Sequence, residues 1–172
     1  MDPYIKQLII RLIFAIIIPF PIFYPILFPV TVYISLFLLR ITGLSPLLVK
    51  DTIIIGETII TFIPACIAAS AYYLLFILIM LTKDISFKTA FKLFFYGSAL
   101  IMFMNIIRVY IAILVLMKFG VNYFDAIHIF FWLGISSFYV ALVWILLTKI
   151  FKIKTIPVYS DIIYLYRRIR NK

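Results

Sequence analysis

The chain has 172 residues, 67% hydrophobic and 19% aromatic, with a mean hydropathy of +1.25. Only 13% are charged, too few to coat a soluble domain of this length, so the composition excludes an ordinary water-soluble globule and predicts an all-α integral membrane protein. The net charge of +10 falls in clusters that flank apolar runs, which argues for membrane topology and against nucleic acid as the partner.

The first apolar run, residues 8–39, carries Pro19, Pro21, Pro25 and Pro29. It is too long for one straight helix and short for two full crossings. Prolines this close break helices, so a kinked or interfacial first part is expected, followed by one crossing that ends near Arg40. No small-residue cleavage site follows, so the run reads as a retained anchor. Residues 41–65, ITGLSPLLVKDTIIIGETIITFIPA, place Gly56-Glu57 between the β-branched runs DTIII and TIITF. This pattern fits a short extracytoplasmic β-hairpin, and equally an interfacial loop.

Three further spans are expected at 65–81, 93–117 and 128–148, separated by the polar stretches TKDISFKTAFK and KFGVNYFDAI and followed by a basic tail, 149–172. The whole chain then forms one membrane domain of about four transmembrane helices. With four crossings, twelve lysines and arginines share one side, and only Arg40, Lys50 and Lys118 lie on the other. The positive-inside rule makes the crowded side, with the C-terminus, cytoplasmic. The tail reads as a surface anchor on anionic headgroups, with Tyr159, Tyr164 and Tyr166 adding interfacial contacts.

Arg108 is the one cation inside a span. It lies 15 residues beyond Leu93, about 22 Å along the helix at 1.5 Å per residue, and therefore in the outer leaflet. Cys66 and His128 begin the second and fourth spans at the same face, so three residues from three helices can converge there. Plainer readings exist for each: Cys66 as a small hydrophobe, His128 as an interfacial residue, Arg108 snorkelling to lipid phosphate. Yet a membrane arginine is costly, and no Asp or Glu lies in any span to pair with it. Pro64 suits a first helical position, which would put Cys66 third, at the positive end of a helix dipole. That position and a nearby guanidinium would both favour a thiolate. Asp125 is a candidate N-cap for the last span, with His128 then in its first turn, able to act as base or acid. Asn105, three residues before Arg108, shares its helix face and can bond the guanidinium or a substrate. One cysteine and one histidine exclude a disulfide and any multi-cysteine or multi-histidine metal site, and no glycine-rich phosphate loop or internal repeat occurs. No cofactor or metal is expected.

PACIAAS, NIIRV and HIFFWLG, in that order on successive apolar segments, resemble the cysteine, arginine and histidine motifs of the exosortase/archaeosortase family. The resemblance spans roughly residues 30–148. It implies a membrane cysteine transpeptidase or peptidase with Cys66 as nucleophile, Arg108 as the family's arginine and His128 as the proton-transfer group. Asn105 matches the asparagine that accompanies the arginine, and Ser70 the serine four positions after the cysteine. The departure is Ile67-Ala68, where the family usually shows a small polar pair, and it bears on substrate preference. The implied substrate is a secreted protein whose C-terminal sorting signal has a short motif, a transmembrane helix and a basic end. The implied reaction, on the outer face of the cell membrane, passes the acyl chain through a thioester to a lipid or other envelope acceptor. The residues alone leave a rival open: a non-enzymatic membrane subunit or small transporter component, with Arg108 binding an anion or a partner helix.

Overall fold

The computed structural model describes residues 3–83, 85–131 and 136–170, with the side chains of Pro3, Arg168 and Ile169 outside that description. Trp132, Leu133 and Gly134 of the HIFFWLG motif, Asp84, and Lys172 of the tail therefore lie outside the described residues.

The described residues are mostly helical. Helix α1 (Pro3–Ile17) ends before Pro19, and a single 3-10 turn (Phe20–Ile22) holding Pro21 leads into α2 (Phe23–Ile41). The proline-broken first region is thus resolved: Pro19 and Pro21 sit at the break, where a missing N–H costs little, while Pro25 and Pro29 stay inside α2. Segment 41–65 forms a three-stranded antiparallel meander, one strand more than a hairpin. Its strands are β1 (Leu47–Val49), β2 (Thr52–Ile55) and β3 (Thr58–Thr61). Ile53 pairs with Ile60 and Ile55 with Thr58 across the two-residue turn, where Gly56 takes a φ of 57° that a side chain would resist. Ile53, Ile55 and Ile60 are buried against Val32, Leu36 and Leu39 of α2 and Ile113 farther along the chain, so the sheet caps one end of the helices.

The expected second span is two helices, α3 (Pro64–Ile67) and α4 (Ala69–Met80), separated by Ala68. The third is longer than its apolar run: α5 spans Phe87–Phe119, with Ser86 as its N-cap accepting from the Thr89 N–H at 3.3 Å. Much of the stretch read as a polar loop is therefore the first turns of α5, carrying Lys88 and Lys92. The second polar stretch is also mostly helical. After Gly120 the chain turns into α6 (Val121–Phe130), and α7 (Ser136–Ile150) follows. The tail ends in α8 (Tyr159–Arg170).

Two helical stretches are long and apolar enough to cross a membrane, Phe20–Ile41 and Phe87–Phe119. Helices α4 and α7, with 12 and 15 residues, are shorter than a 30 Å hydrocarbon layer demands of one straight helix. They pack instead against the middle of α5. Tyr72, Leu75 and Ile79 of α4, Leu93 and Ile101 of α5, and Val140, Trp144 and Leu147 of α7 form one buried cluster. Gly97 makes this possible, because a Cβ there would stand 2.5 Å from Leu75 Cδ2 and 3.0 Å from Leu147 Cδ1.

The end of α5 that starts at Phe87 gathers α1, the α4–α5 connection and the tail. Arg11 of α1 donates to the Thr82 carbonyl at 2.6 Å and forms an ion pair with Asp161 of α8 at 3.0 Å. Tyr4 also bonds Asp161, and Lys83 stands over the rings of Tyr4 and Tyr164. Thr155 donates to the Lys83 carbonyl at 2.9 Å. The tail is thus docked on the bundle through a buried aspartate. Tyr159 and Tyr166 stay exposed, but Tyr164 packs on Tyr4.

Candidate active site

The site begins with a break. Ile63 is extended, Pro64 occupies the first position of α3, and the Cys66 N–H bonds the Ile63 carbonyl at 2.9 Å. After one turn Ala68 adopts φ 54° and ψ 31°, a left-handed conformation that ends α3 and restarts the chain as α4. The last carbonyls of any helix lack partners within it. Here α5 supplies them from one face: Arg108 Nη2 donates to the Ala65 carbonyl at 2.7 Å, and Asn105 Nδ2 to the Cys66 carbonyl at 3.0 Å. Both residues are buried, at 8% and 4% exposure, so Arg108 does not snorkel. Its Nη1 reaches Ser136 Oγ of α7 at 3.5 Å, and that hydroxyl donates to the Phe131 carbonyl at 2.8 Å.

The guanidinium therefore rests on two neutral oxygens and bonds no carboxylate among the described residues. Among the described residues its positive charge has no carboxylate partner, in line with the sequence. Asn105 does not bond the guanidinium, one of the two options its spacing allowed. It braces the backbone of Cys66, and its own Oδ1 is buried without a partner.

Cys66, Arg108 and His128 line one cleft, walled by Phe62, Phe124 and Phe131. His128 is half-buried and stacks on Phe124, with ring centroids 5.5 Å apart and planes 20° from parallel. Arg108 and Phe131 also border a second recess, lined by Asn105, Ser136, Ala68 and Ala71. Ser70, exposed on the first turn of α4, opens onto an adjoining recess with Arg108 and Ser137.

Three local expectations are corrected. Asp125 is not an N-cap: it lies exposed inside α6, whose N-cap is Gly120. His128 belongs to the last turn of α6, not the first turn of the following helix. The dipole argument for Cys66 also fails, because four residues of helix end at Ala68 and cannot build a substantial macrodipole. Burial among apolar walls further works against a resting thiolate. What remains to stabilise charge on sulfur is Arg108. Sequence reasoning missed Ser136. The Ser136-Ser137 pair inside an apolar run was the available signal, since a hydroxyl there needs a partner.

No protein-family model, curated protein or solved structure matches the chain.

Proposed function

We propose that the protein is a membrane-embedded cysteine transpeptidase or peptidase of the exosortase/archaeosortase kind. It cleaves the C-terminal sorting signal of secreted proteins and passes them through a thioester to a lipid or other envelope acceptor. The observation that supports this most is the convergence of Cys66 from α3, Arg108 from α5 and His128 from α6 on one cleft. The chemistry follows from what each group can do. His128 accepts the thiol proton as Cys66 Sγ attacks the scissile carbonyl, and the new oxyanion faces the Arg108 guanidinium. The C–N bond then breaks and His128 returns the proton to the leaving amine. An acceptor nucleophile, deprotonated by His128, attacks the thioester and restores the thiol. Arg108 suits the middle step because no carboxylate among the described residues pairs with it.

In this reading α2 and α5 cross the cell membrane. The end that holds Arg11, Lys83 and α8 is cytoplasmic, and the sheet and the cleft face outward. A sorting signal that ends in a transmembrane helix and a basic segment then presents its motif at the depth of the cleft. The test is intact mass measurement of protein isolated from its own membranes. Wild type carries an acyl adduct on Cys66 that hydroxylamine releases, and Cys66→Ala carries none. No adduct in wild type, with unchanged C-terminal processing in Cys66→Ala cells, rejects the enzyme and leaves Arg108 as an anion or partner site.

A further inference from the structure

The buried Oδ1 of Asn105 has no partner among the described residues, and it points to a donor that a ligand would bring. Asn105 is 4% exposed, and its amide nitrogen is already committed to the Cys66 carbonyl at 3.0 Å. Its oxygen has no partner, although an unmatched buried acceptor costs about 1–3 kcal/mol. The residue lines the recess that shares Arg108 and Phe131 with the cleft of Cys66 and His128, and that Ala68 and Ala71 also line. We infer that this recess is the peptide subsite of the proposed enzyme, in which Asn105 Oδ1 accepts a backbone N–H of the acyl-donor segment.

Position and polarity both fit that occupant. The amide bonds the carbonyl of the same residue that carries the thiol, which ties the Asn105 side chain to the Cys66 backbone. A peptide in this slot meets an acceptor at Asn105 and donors at Arg108. Methyl groups face it at Ala68, between α3 and α4, and at Ala71 of α4. Small residues next to the scissile bond are therefore preferred. The inference rests on the reading of Cys66 as nucleophile, and its test separates the two.

Cys66 is the single thiol of the chain, so alkylation reports on this site alone. The probe is acetyl-Gly-Gly chloromethyl ketone, from which Sγ displaces chloride to form a thioether with release of HCl. Two counterparts replace one or the other peptide N–H by an ester oxygen. Wild type should alkylate one of these esters about tenfold more slowly than the parent, the worth of one hydrogen bond with its acceptor left unmatched. In Asn105→Ala the parent and ester rates should become equal. That equality is what a purely structural role does not produce, since a displaced Cys66 slows all three probes alike. Equal rates for all three in wild type overturn the inference, even if the variant fails to fold. So does an ester discrimination that persists in Asn105→Ala. Failure of Cys66 to react with any of the three rejects the nucleophile itself.

Discussion

Two arginines mark opposite ends of the molecule, Arg108 buried and Arg11 partly buried, and their neighbours in sequence are similar. Arg11 and Arg108 are each flanked by apolar residues, and each donates to a backbone carbonyl, at 2.6 and 2.7 Å. They differ in what else they touch. Arg11 holds Asp161 with both carboxylate oxygens near 3 Å, so its charge is neutralised within the fold. Arg108 has Ser136 Oγ instead, a neutral acceptor. About 32 Å of α5 separates Phe87, at the basic end, from Arg108, at 1.5 Å per residue. One end uses an arginine to tie three segments together. The other keeps an arginine charged beside a thiol and an imidazole. A guanidinium held by two neutral oxygens, with no carboxylate partner among the described residues, has donors left for a transient anion.

The sharpest way to break this contrast is to change both arginines to lysine. Arg108→Lys keeps the charge but loses the planar fork that spans the Ala65 carbonyl and Ser136, so the rate of Cys66 acylation should fall by ~10²–10³. Arg11→Lys should leave that rate at the wild-type level. Equal losses would erase the distinction. Stability should show the opposite ranking. Asp161→Asn, or truncation after Thr155, strips the carboxylate from Arg11 and should lower stability by about 1–3 kcal/mol in thermal unfolding in detergent. Alkylation of Cys66 in the surviving fold should not change.

Two smaller effects test the frame that carries both ends. Gly97→Ala pushes a methyl into Leu75 and Leu147, and overpacking of this kind should cost about 1–3 kcal/mol without altering the rate of Cys66 alkylation. Ala68→Gly should raise the unfolding free energy by roughly 1 kcal/mol, because glycine adopts the left-handed conformation without the Cβ clash. Ala68→Val should do the reverse. If valine stabilises the protein, the break between α3 and α4 is not a feature of the fold.

How much of this was legible in the residues differs from place to place. Hydropathy located α2, α4, α5 and α7, because apolar runs report burial directly, and the β-branched runs around Gly56-Glu57 located β2 and β3. Strand β1 was missed, since Leu47–Val49 is only three residues long and pairs by register with β2. Helix ends were read worst. Lys88, Lys92 and Asp125 looked like loop residues by polarity, yet each sits on an exposed or partly exposed helix face where charge is tolerated. Asp161 went unremarked, since nothing local to the tail reveals that α1 will bring Arg11 to it. At the cleft, residue types and order indicated that Cys66, Arg108 and His128 would meet. The sequence could not reveal that Ala68 would break the helix after Cys66 and turn two carbonyls toward α5. That outcome depends on a non-glycine residue accepting a left-handed conformation, which composition does not announce.

The central claim is that Arg108 and His128 act on the thiol of Cys66, and its reactivity tests this without knowledge of the substrate. The measurement is the second-order rate of iodoacetamide alkylation of Cys66 in wild type, Arg108→Met and His128→Ala, each verified as folded by its thermal transition. Removal of either group should slow alkylation by roughly tenfold or more, because one stabilises the thiolate and the other takes its proton. Rates that stay at the wild-type value in both variants would contradict the account, leaving Cys66 a bystander in an apolar cleft.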